Sequence, residues 1–245
     1  MTHYPYTRAP EGPRPLGLIV LQPDETIEGE FQRMFLARQP LFVSRVPSAP
    51  DVTPENLRAM AGHLTAAASL FPAPSKFASL GFGCTSASAQ IGADRIAQLV
   101  RDGTQADHVT NPLSALVAAC RLLGVTRLAF LSPYTAVVSD RLRAVLSDQG
   151  ITTPAFGSFN EAREENVVRI DRASLRAAAL DLAAQGSAQA VFLSCTNLRT
   201  LDVIDAIETQ TDLPCLSSNQ VLAWHMAQTA GVGAKIPGKL GLTGF

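Results

Sequence analysis

A short strand-to-helix turn occurs twice in each of two forms, and the spacing constrains the fold more than any other feature of the chain. Leu21-Gln22-Pro23-Asp24 and Leu131-Ser132-Pro133-Tyr134 each read as a strand end, a polar residue, a proline and a polar residue. From Asp24 to Tyr134 the interval is 110 residues. Two Cys-Thr pairs, Cys84-Thr85 and Cys195-Thr196, also follow apolar runs, at an interval of 111 residues. Two independent features repeating at nearly one interval predict two similar halves, each with the same pair of strand–turn–helix units. Related by a pseudo-twofold axis, such halves place one cysteine on each wall of the cleft between them.

The segments between these turns fit that plan. Leu16–Leu21, Lys76–Phe82, Arg127–Leu131, Ala190–Leu193 and Leu213–Leu216 are apolar runs too short for helices and read as strands. Helices are signalled by Thr53-Pro54 and Asn111-Pro112, where an N-cap precedes a proline at the first helical position. Further helices are predicted over Ala136–Asp148, after Asp171, directly after Cys84 and Cys195, and over Asn219–Ala230. Strands alternating with helices predict an α/β fold with parallel sheets covered on both faces, and ligands bind outside the carboxyl ends of such strands. The expected division is an arm over residues 1–15, a first half over 16–112 completed by 218–245, and a second half over 113–217.

Hydrophobic residues make up 47% of the 245 and charged residues 17%, enough to bury a substantial core. A formal net charge of −1 and the absence of a long basic run give no footprint for nucleic acid or an anionic membrane. No apolar stretch approaches a membrane span of roughly 18–20 residues. The proline-rich start, with Pro5, Pro10, Pro13 and Pro15, lacks a signal-peptide core, so a cytoplasmic protein is expected. The four cysteines form no CxxC pair and no Cys/His cluster at metal-ligand spacing, and reduced thiols are the default. No metal and no organic cofactor is expected.

A thiol at the first turn of a helix faces unpaired N–H groups that favour thiolate, so Cys84 and Cys195 are expected to be activated. The same N–H groups, with the side chains of Thr85, Ser86, Thr196 and Asn197, can hold a carboxylate or a developing oxyanion. Two opposed thiols suit the inversion of a carbon centre or rotation about a double bond. One thiolate removes a proton or adds to an alkene carbon while the other thiol supplies or receives a proton. Cys120, inside a helix, and Cys215, in a short apolar strand, read as packing residues. His3, His63, His108 and His225 share no spacing. Gly81-Phe82-Gly83-Cys84-Thr85-Ser86 nearly matches the dinucleotide fingerprint G-x-G-x-x-G/A, but Ser86 fills the last position and Asp102 falls at a helix end instead of a strand end.

At Gly17–Leu21, Gly83-Cys84-Thr85-Ser86, Ser132-Pro133-Tyr134, Glu165–Ile170, Ser194–Arg199 and Ser217–Gln220 the chain resembles the aspartate/glutamate racemase superfamily, within its maleate isomerase and arylmalonate decarboxylase branch. The resemblance covers Leu16 to about Gly231. It implies two pseudosymmetric flavodoxin-like domains, a cofactor-free site in the cleft between them, a small carboxylate substrate, and a homodimer or higher homo-oligomer. By motif, Cys84 and Cys195 match the two catalytic cysteines. Tyr134 matches a carboxylate-binding tyrosine, and Asn166 a substrate-binding asparagine. Thr85, Ser86 and Thr196 match hydroxyl and backbone donors to carboxylate oxygens.

Decarboxylases of the branch keep only the second cysteine, so the presence of both leans the chain toward racemisation or cis–trans isomerisation. Decarboxylation of a malonate-like acid and a non-catalytic binding role are the competing readings. Asp24 stands where maleate isomerases carry asparagine, and Leu21–Glu28 resembles a subgroup associated with ectoine catabolism. There Asp24 either contacts a cationic group of the substrate or caps the following helix.

Overall fold

The computed structural model describes residues 1–35 and 37–244. Eight strands run Leu16–Leu21 (β1), Leu41–Val46 (β2), Lys76–Gly83 (β3), Gln105–Thr110 (β4), Arg127–Tyr134 (β5), Thr152–Glu161 (β6), Ala190–Leu193 (β7) and Cys215–Ser217 (β8). They form two four-stranded sheets, ordered β2-β1-β3-β4 and β6-β5-β7-β8, with every pairing parallel. Adding four to each strand number of the first sheet gives the second, so the doubled turns of the sequence reflect a doubled topology. The fold is α/β with two equivalent parallel sheets.

In each sheet the order reverses between the first strand and the third, β1 and β3 or β5 and β7. At such a switch point the connections leave in opposite directions and open a crevice at the strand ends. Asp24 and Cys84 follow β1 and β3; Tyr134 ends β5 and Cys195 follows β7. The four positions picked out by the repeat therefore stand at the two switch points.

Local rules account for most helix ends. Thr53 accepts a hydrogen bond from the Asn56 N–H with Pro54 at the first position, and Asn111 caps Pro112–Leu123, which Gly124 ends in a left-handed turn. The segment after Cys84 is two helices, Thr85–Ile91 and Ala93–Arg101, because Gly92 at φ 91° breaks the run predicted as one. The segment after Cys195 differs more. No helix follows it directly; a turn occupies residues 194–200 and the helix starts only at Leu201.

Gly81 and Gly83 have a packing role. A Cβ on Gly81 would lie 2.6 Å from Met226 Sδ, in the helix Ser218–Ala230, and one on Gly83 would lie 2.7 Å from Ile27 Cδ1. The glycines let these two helices close over β3, which explains the G-x-G without a nucleotide. Residues 1–14 are exposed and carry no regular element, and the Arg14 guanidinium donates to the Lys76 and Phe77 carbonyls. No helix among the described residues is long and apolar enough to cross a membrane.

Candidate active site

The two halves meet through polar bonds at their strand ends. Thr26 Oγ1 donates to the Asn197 carbonyl, the Glu25 N–H donates to Asn197 Oδ1, and Thr196 Oγ1 donates to the Gly83 carbonyl. Ser218 Oγ accepts from Thr85 Oγ1 at 2.7 Å and from the Cys195 N–H at 3.0 Å, tying the two cysteine turns to one atom. Behind them, Glu30 accepts from the Thr200 and Leu201 N–H groups and from Asn219 Nδ2, which also donates to the Thr196 carbonyl.

Both candidate cysteines lie in this junction, free of disulfides and only 2% exposed. Cys84 is the N-cap of Thr85–Ile91, and its Sγ accepts from the Ala87 N–H at 3.3 Å. Cys195 has φ 129°, a left-handed backbone that costs a non-glycine residue on the order of 1–3 kcal/mol. Its Sγ accepts from the Asn197 N–H at 3.2 Å and lies 2.9 Å from Tyr134 Oη. Tyr134 in turn donates to Glu164 Oε1 at 2.9 Å, and Asn197 Nδ2 donates to Glu164 Oε2 at 3.1 Å. A phenol has one proton. Since Tyr134 gives it to the carboxylate, the Cys195 thiol is the donor to Tyr134, and a hydrogen-bond chain runs Cys195–Tyr134–Glu164.

Asp24 is buried beside this chain. Its Oδ1 accepts from the Thr26 and Ile27 N–H groups at 2.8 and 2.9 Å, capping the helix Ile27–Met34. Its Oδ2 is buried with no hydrogen bond within 3.5 Å among the described residues, although the Thr196 hydroxyl lies near enough to help hold the Asp24 carboxyl down. The capping and ligand-facing readings are thus compatible, one oxygen to each. Ser86 Oγ is likewise buried and unpartnered, whereas Thr85 and Thr196 spend their hydroxyl protons on Ser218 and Gly83.

Asn166 is not in the cluster. It is exposed and sits against Glu161, while Glu164, two residues earlier on the four-residue helix Glu164–Val167, turns inward. Sequence reasoning missed Glu164 because a single helical turn has no apolar periodicity from which its inward face can be read.

The electrostatics reverse the expectation of activated thiols. Burial pushes Cys84 up to about 12, against the Ala87 N–H, and the Glu164 and Asp24 carboxylates push it the same way. Burial, then Glu164, raises Cys195 well above the ordinary thiol value. Asp24 and Glu164 are themselves raised by burial, partly offset by their N–H, amide and phenol donors. The resting thiols are protonated. The helix field foreseen for Cys195 is absent because no helix starts there, and that at Cys84 is outweighed by desolvation.

A pocket of about 500 Å³ opens from the surface onto Asp24 and Glu164, rimmed by Glu25, Arg45 and Glu165. The rim charges are matched: Arg45 pairs with Glu28, Arg169 with Glu25 and Arg163 with Glu165. Asp24 and Glu164 at its floor form no ion pair among the described residues. A pocket whose floor carboxylates adjoin a phenol and two buried thiols can move protons on a small ligand.

The family model for arylmalonate decarboxylase matches residues 78–242, about two thirds of the chain and both cysteine turns. The chain belongs to the arylmalonate decarboxylase family. It is 30% identical over 131 residues to arylmalonate decarboxylase of Bordetella bronchiseptica, a match covering 51% of this chain and 53% of that protein. The chain thus spans about half the length of that curated relative. A maleate isomerase of Pseudomonas putida matches at 22% identity over 236 residues, covering 91% of this chain and 94% of the other. Among solved structures, a mutant of the Nocardia farcinica maleate cis-trans isomerase, carrying a covalently bound succinylcysteine intermediate, superposes with a TM-score of 0.80 at 22% identity, over 94% of this chain and 98% of that one. Members of this branch share the two-sheet architecture described above.

Proposed function

We propose that this protein is a cofactor-independent isomerase or racemase of a small carboxylate, with Cys84 and Cys195 acting on opposite faces of one substrate. The observation that carries the reading is the arrival of both repeat-related thiols, with Tyr134, in one buried polar junction between the two sheets. Catalysis begins when the Cys195 proton passes to Tyr134 as the Tyr134 proton passes to Glu164. Cys195 is then a thiolate and Glu164 a neutral acid. Tyr134, itself pushed up by burial, stays a neutral phenol throughout.

The thiolate takes a proton from the carbon beside the substrate carboxylate, or adds to an alkene carbon. Cys84, held protonated, gives a proton to the opposite face. In the proton-transfer route the enzyme ends with Cys195 as thiol, Cys84 as thiolate and Glu164 still protonated, and return of the Glu164 proton to Cys84 through water restores the starting state. In the addition route, after rotation about the former double bond, Cys84 takes its proton back, the carbon–sulfur bond breaks and Cys195 leaves as thiolate. Ser86 Oγ is a free donor for the substrate carboxylate. The succinylcysteine of the Nocardia farcinica enzyme supports the addition route.

Decarboxylation is the second reading, favoured by the family model itself. It needs one cysteine as proton donor and leaves the other without a task.

Incubation in deuterium oxide with a panel of small carboxylates and amino acids, read by NMR, tests the proposal. Exchange, inversion or isomerisation is expected, with each of Cys84→Ala and Cys195→Ala reducing turnover to background. Full activity in Cys84→Ala with carbon dioxide release would replace this reading with decarboxylation.

A further inference from the structure

Glu30 is buried behind the cysteine turns, and no step of the proposed chemistry uses it. We infer that Glu30 and Asn219 are positioning residues for Cys195, acting together through the peptide unit that joins Thr196 to Asn197. This deepens the proposed function, and its kinetic consequence rests on that reading.

Both ends of that peptide unit are engaged. Its N–H, that of Asn197, donates to Cys195 Sγ at 3.2 Å, and its carbonyl, that of Thr196, accepts from Asn219 Nδ2 at 2.8 Å. The unit is planar, so whatever holds the carbonyl aims the N–H. A donor at the carbonyl also polarises the unit and strengthens its N–H as a donor, most of all to a thiolate. Asn219 Nδ2 points its other N–H at Glu30 Oε2, also at 2.8 Å. Glu30 Oε1 accepts from the Thr200 and Leu201 N–H groups at 2.7 and 3.1 Å, where the Cys195 turn enters the helix Leu201–Thr211. A relay thus runs from Glu30 through Asn219 and one peptide unit to the sulfur, and none of its members is more than 6% exposed.

The relay depends on the charge of Glu30. Asn219 Oδ1 is buried without a hydrogen-bond partner among the described residues, so the amide keeps its orientation because Nδ2 faces two acceptors. A proton on Glu30 Oε2 replaces one acceptor by a donor, for which the bare Oδ1 is the match. The amide then turns over, the Thr196 carbonyl loses its donor, and the Asn197 N–H loses its aim at the sulfur. Burial places this change at about pH 6. Of the charged groups around Glu30, Arg33 on the same helix pulls its carboxyl down and is itself paired with Asp202 on the facing helix, while Ser218–Ala230 presents the neutral Asn219.

The test is amide NMR of the whole protein, following the Asn197, Thr200 and Leu201 N–H signals as pH is lowered through about 6. Thr200 and Leu201 bond Glu30 directly and report its titration. Asn197 does not, yet its signal should move with the same midpoint, while that of Ala87, the donor to Cys84, stays still. Asn219→Ala should abolish the movement at Asn197 and keep it at Thr200 and Leu201. Glu30→Gln should abolish all three, and should lower kcat by roughly tenfold or more, the effect of losing one hydrogen bond to a charged sulfur, with KM little changed.

An Asn197 signal that moves no more than that of Ala87 while Thr200 and Leu201 titrate would overturn the inference. So would an Asn197 signal that still titrates in Asn219→Ala, Thr200 and Leu201 signals that do not titrate at all, or, in an active enzyme, an unchanged kcat in Glu30→Gln. The wild-type spectra decide even where a variant fails to fold. They need no substrate, so an absence of exchange with every carboxylate in deuterium oxide counts against the proposed function and leaves the relay to the spectra.

Discussion

Ser218→Ala should damage this protein more than the loss of one hydroxyl suggests. Ser218 Oγ is the acceptor for two buried donors from different halves, the Cys195 N–H and the Thr85 hydroxyl. Alanine leaves both without a partner. An orphaned buried donor costs about 1–3 kcal/mol; the amide is fixed, whereas the hydroxyl can rotate and recover part of its loss, so the sum is roughly 2–4 kcal/mol. For a chain of this size that corresponds to a fall in Tm of roughly 5–12 °C. The Cys195 N–H also helps to hold the left-handed backbone at φ 129°, so kcat should fall with stability. Ser88→Ala is the control, since Ser88 Oγ only donates, to the Cys84 carbonyl, and its removal should cost about 1 kcal/mol or less. Urea unfolding of both variants measures the difference. A Ser218→Ala cost below about 1 kcal/mol, or equal to that of Ser88→Ala, would refute the view that this atom joins the halves.

Two further outcomes follow from the buried carboxyl groups. Tyr134→Phe breaks the Cys195–Tyr134–Glu164 chain and should lower kcat by roughly 10²-fold or more. It also cuts Glu164 off from the thiol, so the acidic limb of the rate profile, where Glu164 becomes protonated, should disappear from the residual activity; an acidic limb kept unmoved would exclude Glu164 as the proton acceptor. Glu30 is pushed up to about 6 from 4.5 by burial, against its Asn219, Leu201 and Thr200 donors. Its folded form therefore binds a proton before its unfolded form does. That contribution is fully present below about pH 4.5 and lost as pH rises through about 6, a change of ~2 kcal/mol that Glu30→Gln should abolish in denaturation curves taken across this window.

The central strands were legible because they are apolar on both faces. β1, β3, β5 and β7 read as unbroken runs, and the turns after them carried the repeat. Of the outer strands, β8 was legible as a short apolar run and the other three were not. β2, β4 and β6 lie at sheet edges with exposed positions along them, and Gln105–Thr110 is mostly polar, so no apolar run announces them. The site was legible where chemistry is written in residue type, at Cys84, Cys195, Tyr134 and Asp24. It was not legible where a single turn decides which side chain points inward, as with Glu164 against Asn166. Nor could the thiols' resting state be read. It depends on the balance between a few N–H groups and complete burial beside two carboxylates, and burial follows only from the assembled halves.

The helix Ser218–Ala230 gives the order in which this molecule can be made. It follows the last strand of the second sheet, yet it packs on β3 and β4 of the first, filling the space left by Gly81 with Met226 and supplying Ser218 to both cysteine turns. During synthesis the first sheet is complete in sequence more than a hundred residues before the helix that covers it emerges. Until then one apolar face of that sheet lies bare, and it must be shielded or left unfolded. The junction that holds both cysteines therefore forms late, and a nascent chain stopped short of this helix has both cysteines but lacks the Ser218 hydroxyl that ties their turns together.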